Sequence, residues 1–147
     1  MSRFTWMNHM MSSKRNLLAI TLLLVGVHSL LLGFFIFFMT DFFYELFFST
    51  QVVNPFFVKQ AGLFLVLMGF FYLVPLANLE KLSRVTLVTI ITKICAVTFL
   101  VVYANDSPAP FMIYLAGFGD ACMAIALSVT YVMFIREITS KTLSSEA

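Results

Sequence analysis

Charged residues are scarce in this chain. Only 11% of its 147 residues are Asp, Glu, Lys or Arg, whereas a soluble domain has about 25%. The apolar fraction of 61% is more than a soluble fold of this length can hide, because such a domain leaves about 30% of its chain's surface in water. These proportions exclude a soluble enzyme, a nucleic-acid-binding protein and a disordered tail, and they indicate an integral membrane protein.

Cysteine is also rare, and the usual catalytic motifs are missing. The two cysteines, Cys95 and Cys122, lie inside apolar stretches and provide neither a disulfide framework nor a metal-binding spacing. We predict that they are buried thiols that pack like small apolar residues. There is no phosphate loop, zinc motif, Ser/His/Asp arrangement or haem ligand pair. The sequence therefore assigns no catalytic residue and no metal ligand, and it favours a protein that is not an enzyme.

Four apolar stretches account for most of the chain. Each has close to the roughly 20 residues that cross about 30 Å of hydrocarbon as a helix; they cover residues 16–40, 60–78, 85–103 and 111–135. No alternating pattern indicates a membrane barrel, so we predict helices. The expected fold is an all-α, four-helix transmembrane bundle over residues 16–135, with cytoplasmic segments at 1–15 and 136–147.

The basic residues predict the orientation of these helices. Seven lie before the first stretch, between the second and third, or after the fourth: Arg3, Lys14, Arg15, Lys81, Arg84, Arg136 and Lys141. The opposite side has Lys59 together with the acidic residues Asp41, Glu45 and Asp106. Because basic residues concentrate on the cytoplasmic side, both chain termini are expected there.

The connection between the first two helices has its own pattern. At helical spacing, Asp41 and Glu45 share one side of residues 41–50, and Phe43 and Phe47 share another. We predict a short amphipathic helix on the outer membrane face. Ten of the 18 phenylalanines fall between residues 34 and 57. They are either packing and anchoring residues or an aromatic wall for a flat apolar ligand, such as a quinone or a lipid tail.

Two charged residues interrupt the apolar stretches. Lys93 lies nine residues beyond Arg84, and Asp120 lies nine residues beyond Phe111. At 1.5 Å per residue, each is about 13–14 Å from its own membrane edge and therefore near the midplane. Each alone costs about 2.5–3.5 kcal/mol to insert. We predict that Lys93 and Asp120 face each other as a pair, which serves either to join two helices or as part of a functional site.

Other polar residues extend this centre. Thr86, Thr89 and Lys93 recur on one helical face. His28 is about 18 Å into the first span, where it serves in packing or takes part in proton transfer or ligand contact. The predicted binding residues are Lys93, Asp120, His28, Thr89, Gln60 and Tyr72.

Small residues predict where helices pack tightly. Gly26 and Gly33 are one heptad apart, as are Gly62 and Gly69. A further small face in the fourth stretch comprises Gly117, Ala121, Ala124 and Ser128. Such faces allow transmembrane helices to approach closely.

The arrangement of these residues resembles the small four-helix bacterial membrane proteins grouped as DoxX-like. The resemblance spans about residues 16–135 and depends on Gly26, His28 and Gly33 in the first helix, Gln60-x-Gly62 with Gly69 and Tyr72 in the second, Lys93 in the third and Gly119-Asp120 in the fourth. It implies a bundle of four helices in the bacterial inner membrane. For some members it also implies association with quinone-linked redox enzymes.

Three functions are compatible with this sequence. The first is a non-catalytic accessory protein or subunit of a membrane complex, whose partners are membrane lipid and other membrane subunits or a second copy of the chain. The second is a binding site or proton pathway for a quinone-like or lipid molecule. The third is an oligomeric transporter, since four helices rarely enclose a polar path by themselves. A quinone or a lipid is the expected bound group, and no nucleic acid is expected.

Overall fold

The protein is a chain of α-helices joined by short connections. A computed structural model describes the backbone of residues 3–51, 53–106 and 110–146, and the side chains of residues 13–51, 53–106, 110–141 and 143. Its five α-helices are α1 (Arg3–Phe38), α2 (Thr40–Phe48), α3 (Phe56–Leu73), α4 (Ser83–Asp106) and α5 (Phe111–Glu146). No strand occurs in these ranges, which confirms the all-α fold.

Four of these helices have the length and the apolar composition needed to cross a membrane. Within the described residues, the candidate spans are Ser13–Phe38, Phe56–Ala77, Ser83–Asp106 and Phe111–Lys141. Each includes the greater part of one predicted stretch. The helices themselves are longer: α1 and α5 continue as helix into the polar segments at 1–15 and 136–147. Apolar composition limits the membrane span, whereas the backbone hydrogen bonds of a helix also form in a polar sequence.

A local break separates α1 from α2. Met39 leaves the helical conformation, with φ −116° and ψ 41°. The Thr40 hydroxyl donates hydrogen bonds to the carbonyls of Ile36 at 2.7 Å and Phe37 at 3.2 Å. These carbonyls lie at the end of α1, where backbone acceptors lack helical partners. The predicted helix at 41–50 therefore exists as a separate element, and it ends where Ser49 takes a left-handed conformation with φ 52°.

Helix α1 packs against α3 through the four glycines. A Cβ atom at Gly33 would be 2.7 Å from the Gly62 carbonyl oxygen, and one at Gly62 would be 2.9 Å from the Gly33 carbonyl oxygen. One heptad away, a Cβ atom at Gly69 would be 2.9 Å from the backbone nitrogen of Leu30. The two backbones are therefore in direct contact, which confirms the predicted tight packing at these positions.

Side chains close the half of the protein that contains the chain termini. The buried cluster there consists of Leu18, Leu22, Leu79, Ile90, Leu127 and Phe134. These residues come from α1, α4, α5 and the turn before α4, so they join the helices at one end. Lys14 and Glu137 lie 3.6 Å apart at the same end, although a partly exposed pair of this kind contributes only about 0–1 kcal/mol. The polar centre lies just beyond this cluster.

Candidate functional site

Lys93 and Asp120 form a buried pair between neighbouring helices. Lys93 lies on α4 and Asp120 on α5, and the distance from Lys93 Nζ to Asp120 Oδ1 is 2.6 Å. The Lys93 side chain is 5% exposed and that of Asp120 is 19% exposed. The predicted contact is confirmed. The short loop makes α4 and α5 adjacent, and matching depth then brings the two side chains together.

Two of the other predicted residues surround the lysine. Tyr72 of α3 is 3% exposed, and its ring centroid is 5.7 Å from Lys93 Nζ, within the range of a cation–π contact. Thr89 is completely buried on the same face of α4 as Lys93. Its hydroxyl donates to the Val85 carbonyl at 3.1 Å, so it is satisfied within its own helix. Tyr72 therefore contacts the lysine, and Thr89 shares the buried face of α4 with it.

Next to the pair is a cavity of about 520 Å³, in the half of the protein opposite the termini. Its apolar lining comes from all five helices and includes Leu32, Phe43, Phe47, Leu65, Phe99 and Met112. Asp120 and His28 are the polar side chains among the described residues that line it. Ligand sites commonly have this volume and this combination of an apolar wall with a few polar groups.

The remaining predicted residues divide between the site and the surface. His28 reaches the cavity from α1, although much of its side chain is exposed at the helix surface. Gln60 is exposed as well. It is far from the site, because it lies twelve residues before Tyr72 on α3, which is about 18 Å along the helix. The structure therefore brings together Lys93, Asp120 and Tyr72, with His28 sharing the cavity, and it leaves Gln60 apart.

The cysteines are not buried, and this prediction is wrong. Cys95 and Cys122 are both free and exposed. Each lies two residues after a member of the charged pair, and two residues turn a helix by about 200°. Because Lys93 and Asp120 point inward, the thiols point out of the helix pair. The described residues also contain no group of three His, Cys, Asp or Glu side chains able to hold a metal ion.

Several cavity residues were not identified from the sequence as site residues. Gly119 lines the cavity beside Asp120, and a Cβ atom there would meet nothing within 4 Å. Phe99 and Met112 look like ordinary lipid-facing residues in the sequence. A signal existed only for Phe43 and Phe47, which recur on one face of α2 and whose rings stack with centroids 4.4 Å apart.

The site provides hydrogen bonding at one end of an apolar space. Lys93 occupies Oδ1 of Asp120, and Lys93 itself is not among the residues that line the cavity. The polar end of the cavity therefore consists of the Asp120 carboxyl group and the His28 imidazole. Such an arrangement is able to orient a mainly apolar molecule by one polar group.

The four candidate spans in the described part of the chain indicate a multi-pass helical membrane protein. No family model, no curated protein and no solved structure matches the chain.

Proposed function

We propose that this protein binds a mainly apolar molecule within the membrane. The observation that carries the proposal is the cavity of about 520 Å³, apolar except for Asp120 and His28 at its polar end. The molecule's class is that of a membrane lipid or a quinone-like compound. The aromatic rings of α2 and α4 provide surfaces for an apolar body, and the buried charged pair holds the polar end in place.

The proposal includes a membrane arrangement. The four spans form a bundle in a bacterial inner membrane, as the DoxX-like resemblance implies, with both termini in the cytoplasm. In this arrangement α2 is an amphipathic helix on the outer face, and the cavity lies in the outer half of the membrane. The buried cluster near the chain termini then lies on the cytoplasmic side. The ligand enters from the outer half.

Blocking the cavity tests the proposed function. Gly119→Leu places a side chain in the cavity without a backbone clash, because nothing lies within 4 Å of its Cβ position. We expect a bound molecule in native mass spectra of the protein extracted in mild detergent. In the Gly119→Leu variant its occupancy should fall because the affinity decreases about tenfold or more, and a tenfold decrease corresponds to about 1.4 kcal/mol.

A glycine on the same helix provides the matched control. A Cβ atom at Gly117 makes only ordinary contacts with Leu100, at 3.6 Å from its Cβ atom and 3.9 Å from its Cδ1 atom. Gly117 lines a neighbouring groove that shares Leu100 and Ile113 with the cavity, and it is not itself among the residues that line the cavity. Gly117→Leu should therefore retain the bound molecule. A parent protein without any bound molecule, or equal occupancy in the two variants, would contradict the proposal.

A second candidate is the accessory subunit that the sequence also favours. The observation behind it is a groove of about 250 Å³ between α4 and α5. Gly117 and Ala121 line this groove, and their small size forms a depression in the surface of α5. Small residues on a lipid-facing surface allow a helix from another subunit to approach closely. The same mass spectra distinguish the two candidates. A stoichiometric protein partner supports the function as an accessory subunit if it is lost in Gly117→Leu and kept in Gly119→Leu.

The proposed orientation has its own test. In a background where Cys95 and Cys122 are replaced by serine, single cysteines at exposed sites report the accessible side. Thr50→Cys follows α2, and Ser140→Cys lies near the end of α5; both positions are exposed. With a membrane-impermeant maleimide, we expect labelling of Thr50→Cys in intact spheroplasts and of Ser140→Cys only after lysis. The reverse pattern would show that the termini lie outside.

A further inference from the structure

We propose that the cavity selects an uncharged amphiphile whose terminal hydroxyl group hydrogen-bonds to Asp120. This inference rests on the proposed function and specifies the chemistry of the ligand. Its starting point is the distribution of charge around the cavity, where a carboxyl group lines the space and its cationic partner does not.

The charged pair is neutral as a unit. Lys93 and Asp120 are joined at 2.6 Å, so their charges sum to zero both as an ion pair and as a neutral hydrogen-bonded pair. Taking a charged head group to this depth incurs a large loss of hydration. No net charge at the site offsets that loss. The pair therefore favours a ligand head group without a charge.

Each kind of charged head group meets a further obstacle. An anionic head group would face the Asp120 carboxyl group, while the Lys93 side chain is 5% exposed and lies outside the cavity lining. A cationic head group that donates to the other carboxylate oxygen would place a second positive charge beside the buried Lys93, which donates to Oδ1 of the same carboxyl group. Two like charges close together in a buried site repel each other, so this arrangement is unfavourable.

A hydroxyl group matches the hydrogen-bonding groups that remain. Lys93 donates to Oδ1 of Asp120, and no hydrogen bond to Oδ2 is found among the described residues. A carboxylate oxygen accepts a hydrogen bond, so the ligand must bring a donor. The imidazole of His28 lines the same cavity and has both donor and acceptor capacity. A hydroxyl group is able to donate to Asp120, and its oxygen is still able to accept a hydrogen bond from a donor in the lining, such as the imidazole.

The space around Asp120 admits such a group. The absent side chain at Gly119 leaves room beside the carboxyl group, since nothing lies within 4 Å of its Cβ position. The rest of the lining is apolar and aromatic, with Phe43 and Phe47 from α2 and Phe99 from α4. An apolar chain or ring system therefore occupies the cavity, and its hydroxyl end reaches Asp120.

Three probes of equal chain length test this selectivity: 1-hexadecanol, palmitate and hexadecylamine. The protein is placed in phospholipid nanodiscs, and the occupancy of each probe is titrated by native mass spectrometry. We expect 1-hexadecanol to bind about tenfold or more tightly than either charged probe. We also expect Gly119→Leu to abolish the binding and Gly117→Leu to leave it unchanged.

A double variant tests the recognition of the hydroxyl group. Lys93→Met/Asp120→Leu removes the acceptor without leaving a single buried charge, so it is expected to fold. The ratio of its affinities for 1-hexadecanol and hexadecane should fall about tenfold, because only 1-hexadecanol loses a hydrogen-bond acceptor. An unchanged ratio would overturn the inference.

The outcomes separate the inference from the proposed function. If palmitate or hexadecylamine binds as tightly as 1-hexadecanol and Gly119→Leu blocks it, the ligand class is wrong and the cavity remains a binding site. If no probe binds, or if Gly119→Leu has no effect on binding, the proposed function fails, and the inference fails with it.

Discussion

Lys93→Leu should strongly destabilise the folded protein, because it leaves Asp120 without its partner. The two side chains are 2.6 Å apart and largely buried, and breaking a buried pair from one side costs about 3–5 kcal/mol. Whole domains are stable by only about 5–15 kcal/mol. We expect a loss of about this size in the free energy of unfolding, measured by denaturant titration in detergent micelles. Asp120→Leu should have a similar effect.

The double variant Lys93→Leu/Asp120→Leu separates the pair from its two members. Replacing both charged groups removes the uncompensated charge, and well-packed apolar replacements of buried pairs are often neutral or stabilising. We therefore expect the double variant to recover most of the parent stability. Thr98→Leu is the control on α4, because Thr98 is exposed and its hydroxyl bonds only to its own helix. Single variants as stable as the parent would show that the pair contributes nothing to folding.

The second large effect is expected at the contact between α1 and α3. In Gly33→Ala the new Cβ atom would lie 2.7 Å from both the Gly62 carbonyl oxygen and the Val66 backbone nitrogen. Backbone atoms cannot rotate away as a side chain does, so the helices must separate. Overpacking of this kind typically costs about 1–3 kcal/mol. The larger side chain of Gly33→Leu should destabilise the protein more. The measurement is the midpoint of thermal unfolding in detergent, which should be lower in Gly33→Leu than in Gly33→Ala.

Gly119→Ala is the control for this prediction. Its Cβ atom meets nothing within 4 Å, and alanine is favoured over glycine within a helix by about 1 kcal/mol. We therefore expect Gly119→Ala to be neutral or stabilising, whereas Gly33→Ala is destabilising. If both substitutions shift the midpoint in the same direction by the same amount, the close contact between α1 and α3 has no energetic importance.

The spans and the charged pair were predictable for the same reason. Apolar length measures the path across a membrane directly, and a constant rise per residue converts sequence distance into depth. Lys93 and Asp120 were placed at equal depth by counting from the helix ends, and a short loop made their helices neighbours. The pair therefore depends on only two quantities, depth and adjacency, and both can be read along the chain.

The cavity was not predictable because it depends on distances between helices. Gly119 and Gly117 are two residues apart on one helix, yet one borders open space and the other contacts Leu100. Nothing in the local sequence distinguishes them. His28 and Gln60 likewise appeared equivalent as polar residues in or beside spans, but only His28 reaches the cavity. The cysteines were predicted to be buried but are exposed. The sequence does not distinguish the two positions, because a small apolar thiol fits a lipid-facing surface as well as a protein interior.

Sequence alone determined that the chain is helical, how many times it is able to cross a membrane and which two charges stand apart from the rest. These properties follow from hydropathy and helical rise, which act along one dimension. Tertiary structure decided which helices contact each other through glycine and which region between the helices is left unfilled. Closure of one half by leucine and aromatic side chains, and incomplete filling of the other, created the cavity beside Asp120. Packing between distant segments has no one-dimensional signature, because it depends on the three-dimensional fit of all the helices at once.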